Sequence, residues 1–273
     1  MSLRLGVDIG GTFTDAVSVG PEGLRTAKVA TDPQDPSRGV ERAVQALFGD
    51  AATAPDAFLH GTTLVTNMML ERQGCPTGFV TTRGCRDLLH IGRHDRPLNY
   101  AIRQQIPRQH APPVPRRWRR ELQERMGADG EILVAPDRDE TQRVARELVG
   151  QGVQAIAVGF LHAHRFPGHE RQVAAWIAEV CPDTCVVTSH EVSARFREYE
   201  RFMTTAWNAR VSPGAADYLD RLRVAVQQRW PGVGLTLVTS NGGLETIESG
   251  DMTVPGSLRR TPIRLAMSGP AAA

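Results

Sequence analysis

Eight residues, Asp8-Ile9-Gly10-Gly11-Thr12-Phe13-Thr14-Asp15, constrain the fold of this chain more than any other feature. They lie between a run over 3–7 that alternates apolar with small or polar side chains and a β-rich run over 12–19, which predicts two strands joined by a glycine turn. Without a Cβ at Gly10 or Gly11, successive backbone N–H groups can turn toward one point and approach an anion closely. Thr12 and Thr14 add hydroxyl donors. Asp8, at the strand end, suits Mg2+, which prefers carboxylate oxygens and retains several waters. Two acids and two threonines around the glycine pair predict a phosphate-binding turn rather than an ordinary hairpin. Asp15 is either a second metal ligand or the cap of a turn.

The pattern beyond this turn is that of an α/β protein. A turn at Pro21-Glu22-Gly23 and a strand over 24–30 complete an antiparallel three-stranded meander. Ser37 is placed to cap a helix running through 48, with Val40, Ala43, Val44 and Leu47 on one face. A strand over 57–60, a helix over 64–73 and a strand over 77–81 have the rhythm of parallel crossover units. Residues 98–114, rich in Pro and Arg and without periodicity, read as an inserted loop or small subdomain, and Asp129-Gly130 as the turn of a hairpin. The rhythm resumes with a helix over 139–150, an apolar strand over 153–161, a helix over 168–180 and a strand over 185–188. A helical region over 194–230 is expected to break at Ser212-Pro213, because proline suits the first position of a new helix. A strand over 235–238, a Gly-Gly loop and a further strand lead into Ser268-Gly269-Pro270, which reads as a glycine turn entering a helix. These last elements read as the start of a second lobe, with Leu235, Leu237, Ile263 and Leu265 left partly uncovered.

A chain of 273 residues accommodates one large or two moderate units. Its 41% hydrophobic and 23% charged residues are ordinary for a globular protein, and no segment is apolar for long enough to cross a bilayer. The net charge of +2 provides no field for a polyanion, so neither nucleic acid nor membrane is expected as a partner. Cys75, Cys85, Cys181 and Cys185, with no leader-like start, point to reduced thiols in the cytoplasm. His90 with His94, and His162 with His164, have chelating spacing but no third ligand at a fixed offset. Glu198 and Arg201 read as an exposed pair or as packing partners, and 116–120 as a solvated basic loop face. The absence of GxSxG and HExxH argues against a simple serine or zinc hydrolase.

The segment Asp8 to Asp15 resembles the first phosphate motif of the actin and sugar-kinase superfamily, and its DIGGTFTD form resembles the hydantoinase/oxoprolinase family. His60-Gly61-Thr62-Thr63 with Thr66-Asn67, Thr81-Thr82-Arg83-Gly84, Ile91-Gly92-Arg93 through Arg96-Pro97, Glu198-Tyr199-Glu200-Arg201, Ser240-Asn241-Gly242-Gly243 and Ser268-Gly269-Pro270-Ala271-Ala272 match family segments in the same order. The resemblance implies a ribonuclease H-like mixed sheet, a family N-terminal domain over 1–190, and a helical connection with the truncated start of a hydantoinase A-type domain over 191–273. It implies ATP and Mg2+ as cofactors, a cyclic amide such as 5-oxoproline or a hydantoin as substrate, and phosphorylation of a carbonyl oxygen before ring opening. Relatives of the same kind carboxylate ketones with ATP.

On this reading Asp8, Thr14 and Arg93 are the catalytic candidates. Gly10, Gly11, Thr12, Thr14, Gly61, Thr62 and Thr63 are the nucleotide contacts, and Asp8 and Asp15 the metal ligands. Gly61 to Thr63 fall at a strand-to-helix junction, where Thr62 can equally cap the helix. Arg93 and Arg96 suit a cationic clamp. Superfamily members build the nucleotide cleft from two phosphate loops, and no second Asp-x-Gly-Gly-Thr follows Asp15. That leaves open a non-catalytic subunit or fragment needing another chain, with a hydantoinase B-type subunit as the partner, and a kinase relative that keeps only the phosphate loop.

Overall fold

The computed structural model describes residues 2–32, 35–49, 53–104, 106–247, 257–258 and 260–268; the glycine turn expected at 269–270 lies outside them. In chain order the elements are β1 (Arg4–Ile9), β2 (Phe13–Gly20), β3 (Gly23–Ala30), α1 (Pro36–Phe48), β4 (Ala57–Thr62), α2 (Leu64–Leu70), β5 (Thr77–Thr82), α3 (Leu88–Ile91), α4 (Pro107–His110), β6 (Arg119–Leu122), β7 (Arg125–Met126), β8 (Ile132–Val134), α5 (Arg138–Gly150), β9 (Ala155–Gly159), α6 (Gly168–Val180), β10 (Cys185–Thr188), α7 (Ser189–Val192), α8 (Glu198–Arg229), β11 (Leu235–Val238) and β12 (Leu244–Ile247). They form two compact units, one of residues 1–73 with 214–273 and one of residues 74–213. No helix of the described residues is long and apolar enough to cross a membrane.

The first unit holds a six-stranded mixed sheet in the order β12-β11-β4-β1-β2-β3. The three-stranded meander is present as read, with β1, β2 and β3 antiparallel, while β4 and β11 run parallel to β1. Strict alternation decides which side is covered. Leu5, Val7 and Ile9 of β1, Thr14, Ala16 and Ser18 of β2, and Phe58, His60 and Thr62 of β4 are buried, together with Val40, Ala43, Val44 and Leu47 of α1. Phe13, Asp15, Val17 and Val19 of β2 face the other way and are exposed. Trp230, at the end of α8, closes the core against Phe58 and Phe48, with ring centroids 6.3 and 6.5 Å away. Helix α1 begins at Pro36, so Ser37 lies inside it and caps nothing; proline, preset for the first helical position, moves the N-cap to Asp35, two residues earlier.

Leu235, Leu237 and Leu265 are not left uncovered: each is at most 1% exposed. β11 pairs with β4 inside the sheet, and residues Pro262–Leu265 form a 3-10 turn against α2 rather than a strand.

The second unit is a parallel sheet in the order β10-β9-β5-β6. β5 and β9 are buried throughout, which accounts for the continuous apolar and small-residue sequence of β9; β5 carries Thr77, Thr81 and Thr82 inside the sheet as buried polar residues. Val144, Leu148, Val173 and Ile177 of α5 and α6 fill one core cluster; Phe79, Leu89, Val114, Phe202, Ala206 and Ala209 fill another. The hairpin at Asp129-Gly130 forms between β7 and β8.

Helix α8 does not break at Ser212-Pro213. Proline removes the N–H that would reach the Ala209 carbonyl. That carbonyl instead accepts from the Cys75 thiol at 3.7 Å, and the Arg210 carbonyl accepts the Cys75 N–H at 2.9 Å. The chain entering β5 thus supplies a donor to the carbonyl that proline leaves without its helical partner, and a second to the carbonyl beside it.

Candidate functional site

The glycine turn is a hairpin tip held from beneath. The Gly10 N–H donates to the Phe13 carbonyl at 2.9 Å, and a Cβ on Gly10 would stand 2.9 Å from that same oxygen, so no side chain fits there. The Thr31 N–H donates to the Thr12 carbonyl at 2.9 Å, and the Thr31 hydroxyl to the Gly10 carbonyl at 3.0 Å. Thr14 is fully buried, its hydroxyl 3.0 Å from that of Thr31, under α1 where Gly39 leaves no room for a Cβ. Thr14 therefore braces the turn from the core side, while Gly11 and Thr12 are exposed at the tip.

On the open face, Asp8 is flanked in register by Asp15 on β2 and Gly61 on β4. Among the described residues, Asp8 Oδ1 is buried without a hydrogen-bond partner. Burial, and next the charge of Asp15, push the Asp8 carboxyl above its ordinary range. Asp15 is exposed and bound at 2.8 and 3.1 Å by the Lys28 ammonium, which lies 5.1 Å from the Phe13 ring. Asp8, Asp15, Lys28, Leu59 and Gly61 line a depression of about 660 Å³.

An orphaned carboxylate oxygen with a raised pKa, facing a second carboxylate, fits a hard cation that takes the rest of its shell from water and phosphate. Among the described residues no group of three His, Cys, Asp or Glu side chains stands ready to hold a metal, which includes the His90/His94 and His162/His164 pairs.

At the β4–α2 junction the polar groups turn inward. The Thr63 N–H and hydroxyl both donate to the Ile9 carbonyl, at 3.0 and 3.1 Å, and the Asn67 amide donates to Thr63 Oγ1 at 3.2 Å. Thr62 is buried and its Oγ1 accepts the Leu64 N–H at 3.1 Å, but it is not the cap expected of it: the N-cap position of α2 is Thr63, which makes no side-chain cap bond. The Ser268 hydroxyl donates to the Thr62 carbonyl at 2.7 Å. A smaller cavity of about 190 Å³ lies between Gly10, Gly11, Thr63 and Asn67.

The first unit thus collects Asp8, Gly10, Gly11, Thr12, Thr14, Asp15, Gly61, Thr62 and Thr63 around one hairpin tip and strand end. Arg93 belongs to the second unit, where its guanidinium is ion-paired with Glu200; Arg96 donates to the Ala101 carbonyl at 2.9 Å.

Two expectations about arginines are corrected. Arg201 is not an exposed partner of Glu198: it is 1% exposed and donates to Ser189 Oγ and to the carbonyls of Arg195 and Phe160. The 116–120 run is not uniformly solvated, because Arg119 opens the parallel strand β6, is buried, and donates to the Val114 carbonyl at 3.0 Å.

Sequence reading passed over the buried polar groups. Glu170 accepts from the Phe160 N–H, the Ser189 hydroxyl, and the N–H and ring of His190, and Glu124 pairs with His169 at 2.7 Å. In the first unit, His60 and Tyr218 meet at 2.6 Å. The one available signal was alternation, which puts His60 on the same strand face as Phe58.

A profile described as the hydantoinase/oxoprolinase N-terminal region matches residues 4–181. The caprolactamase subunit alpha of Pseudomonas jessenii is 29% identical over 99% of this chain and 39% of its own length. The crystal structure of the ATP-dependent caprolactamase from the same organism superposes with a TM-score of 0.84 at 29% identity, over 98% of this chain and 39% of that one. The acetophenone carboxylase gamma subunit of Aromatoleum aromaticum is 31% identical over 74% of this chain and 30% of its own, and the 5-oxoprolinase of Saccharomyces cerevisiae 26% over 89% and 22%. The chain therefore spans less than half the length of these relatives.

Proposed function

From the premise that this chain belongs to the hydantoinase/oxoprolinase family, we propose that it is the N-terminal portion of an ATP-dependent cyclic-amide hydrolase in which a carbonyl oxygen is phosphorylated before the ring opens. The observation that carries this reading is the unpartnered, buried oxygen of Asp8, opposite Asp15 and beside the glycine tip. Mg2+ and ATP would supply charge neutralisation and a transferable phosphoryl group, making a poor electrophile into one with a leaving group that water can displace.

The chain's own residues bind and orient. Asp8 and Asp15 would hold the metal, and the exposed backbone of Gly11 and Thr12 would lie along the phosphates without steric hindrance. Gly61, beside Asp8, keeps that flank free of a side chain. Thr14, Thr62 and Thr63 shape the site from below through Thr31, Leu64 and Ile9. Arg93, held by Glu200 in the other unit, remains the candidate clamp on substrate or phosphate.

The division at residue 190, a cytoplasmic setting and a hydantoinase B-type partner subunit belong to the same proposal; that two of the relatives are named as subunits supports the partner. Their names also support an alternative, a subunit of an ATP-dependent ketone carboxylase, since both reactions begin at a carbonyl.

The test is ATP turnover by the assembly that contains this chain. Release of phosphate stoichiometric with ring-opened product from 5-oxoproline, a hydantoin or caprolactam is the expected result. Release dependent on a ketone and bicarbonate would replace it with the carboxylase reading. ATP turnover indifferent to all of them would contradict both.

A further inference from the structure

Beneath the open face runs a chain of hydrogen bonds that the proposed chemistry does not use. The His60 ring is fully buried, and its Nδ1 lies 3.1 Å from the Val7 carbonyl, an acceptor only, so Nδ1 carries the proton. Nε2 is then an acceptor, and the Tyr218 hydroxyl donates to it at 2.6 Å. Thr62 acts on the Tyr218 hydroxyl from the other side, and its own Oγ1 accepts the Leu64 N–H at 3.1 Å. From the Tyr218 hydroxyl through His60 to the carbonyl that precedes Asp8, the hydrogens run in a single direction. Such chains polarise their members, and in a dry interior each link left open is costly.

Its placement is what matters. Val7 and His60 are register partners, and the next pair along the same two strands is Asp8 and Gly61, which both line the depression on the open face. Burial of apolar side chains would hold these strands together equally well, and would not fix one rotamer and one tautomer as this chain does.

We propose that His60 and Tyr218 are positioning residues, which through Val7 and Thr62 hold Asp8 and Gly61 in the geometry required to bind a magnesium–nucleotide complex. This rests on the nucleotide reading of the open face.

The experiment compares the affinity for Mg·ATP of the assembly that contains this chain, in the wild type, Tyr218→Phe, Asp8→Asn and Val44→Ala, measured well below each thermal transition. Tyr218→Phe keeps the ring and deletes one hydroxyl; Val44→Ala lowers stability from within α1, away from the chain of bonds. The expected result is a loss of about tenfold or more in affinity for Tyr218→Phe, wild-type affinity for Val44→Ala, and displaced amide resonances at both Asp8 and Gly61 in Tyr218→Phe. A Tyr218→Phe protein that melts lower yet binds as the wild type does, with unmoved Asp8 and Gly61 resonances, overturns the positioning role and leaves the nucleotide reading intact. A wild type that binds no nucleotide overturns both.

Discussion

Asp8 and Asp15 stand directly opposite each other on β1 and β2, and among the described residues only Asp15 has a cation, Lys28, at contact distance. Asp8 therefore bears the electrostatic cost of the pair. Asp15→Asn removes the like charge and lowers the Asp8 pKa, but leaves it above the ordinary range, because burial is the larger cause. A pH titration of the Asp8 carboxyl carbon by NMR reads this directly; an unchanged or rising pKa would show that the two carboxylates do not interact.

Stability should fall on mild acidification. Burial pushes the His60 imidazole down to about 4 from an ordinary 6.5. Between these values the unfolded chain binds a proton that the folded chain refuses, so stability is constant above about pH 6.5 and is lost as pH falls toward 4, by about 3 kcal/mol at most. Urea unfolding at pH 7 and pH 4.5, in the wild type and in His60→Gln, isolates the contribution. Equal losses in the two proteins would assign the pH dependence elsewhere.

Gly74→Ala should destabilise the second unit by roughly 3 kcal/mol or more, since a positive-φ strain adds to a direct clash. Gly74 has φ +120, and a Cβ there would stand 2.4 Å from the Arg210 carbonyl. The same backbone satisfies the helix at Pro213, so the substitution also pulls Cys75 from its acceptors. Thermal denaturation within a degree of the wild type would contradict this account of the uninterrupted helix.

Glu170→Gln should cost about 3 kcal/mol, because an amide presents hydrogens where the native carboxylate accepts from several donors. Denaturant unfolding measures it, and a neutral substitution would mean that the strand ends of β9 and β10 are held by packing alone.

What the sequence disclosed, and what it did not, follows from the range of the interactions. The meander and the turn at Gly10-Gly11 are local: alternation over β1 and β2 and two residues without a Cβ suffice to place them. Helix α6 and strand β10 were bounded by the same periodicities. Pro213 misled because the donors that rescue its helix come from Cys75, 138 residues away in sequence and adjacent only after folding. Arg201 and Arg119 misled because charge suggests exposure, whereas their partners are carbonyls and a hydroxyl delivered by other elements. In the candidate site, Asp8 and the glycine tip were readable as chemistry. The inward turn of Thr14, and the His60–Tyr218 contact that spans 158 residues, were not.

The central claim is that the Asp8 face binds a magnesium–nucleotide complex. Isothermal titration of the assembly that contains this chain with ATP, with and without Mg2+, tests it most directly when wild type and Asp8→Asn are run side by side. The account predicts Mg2+-dependent binding by the wild type and, for Asp8→Asn, binding weakened by about tenfold or more that no longer responds to Mg2+. Absence of binding by the wild type, or equal and equally Mg2+-dependent binding by both proteins, would contradict it.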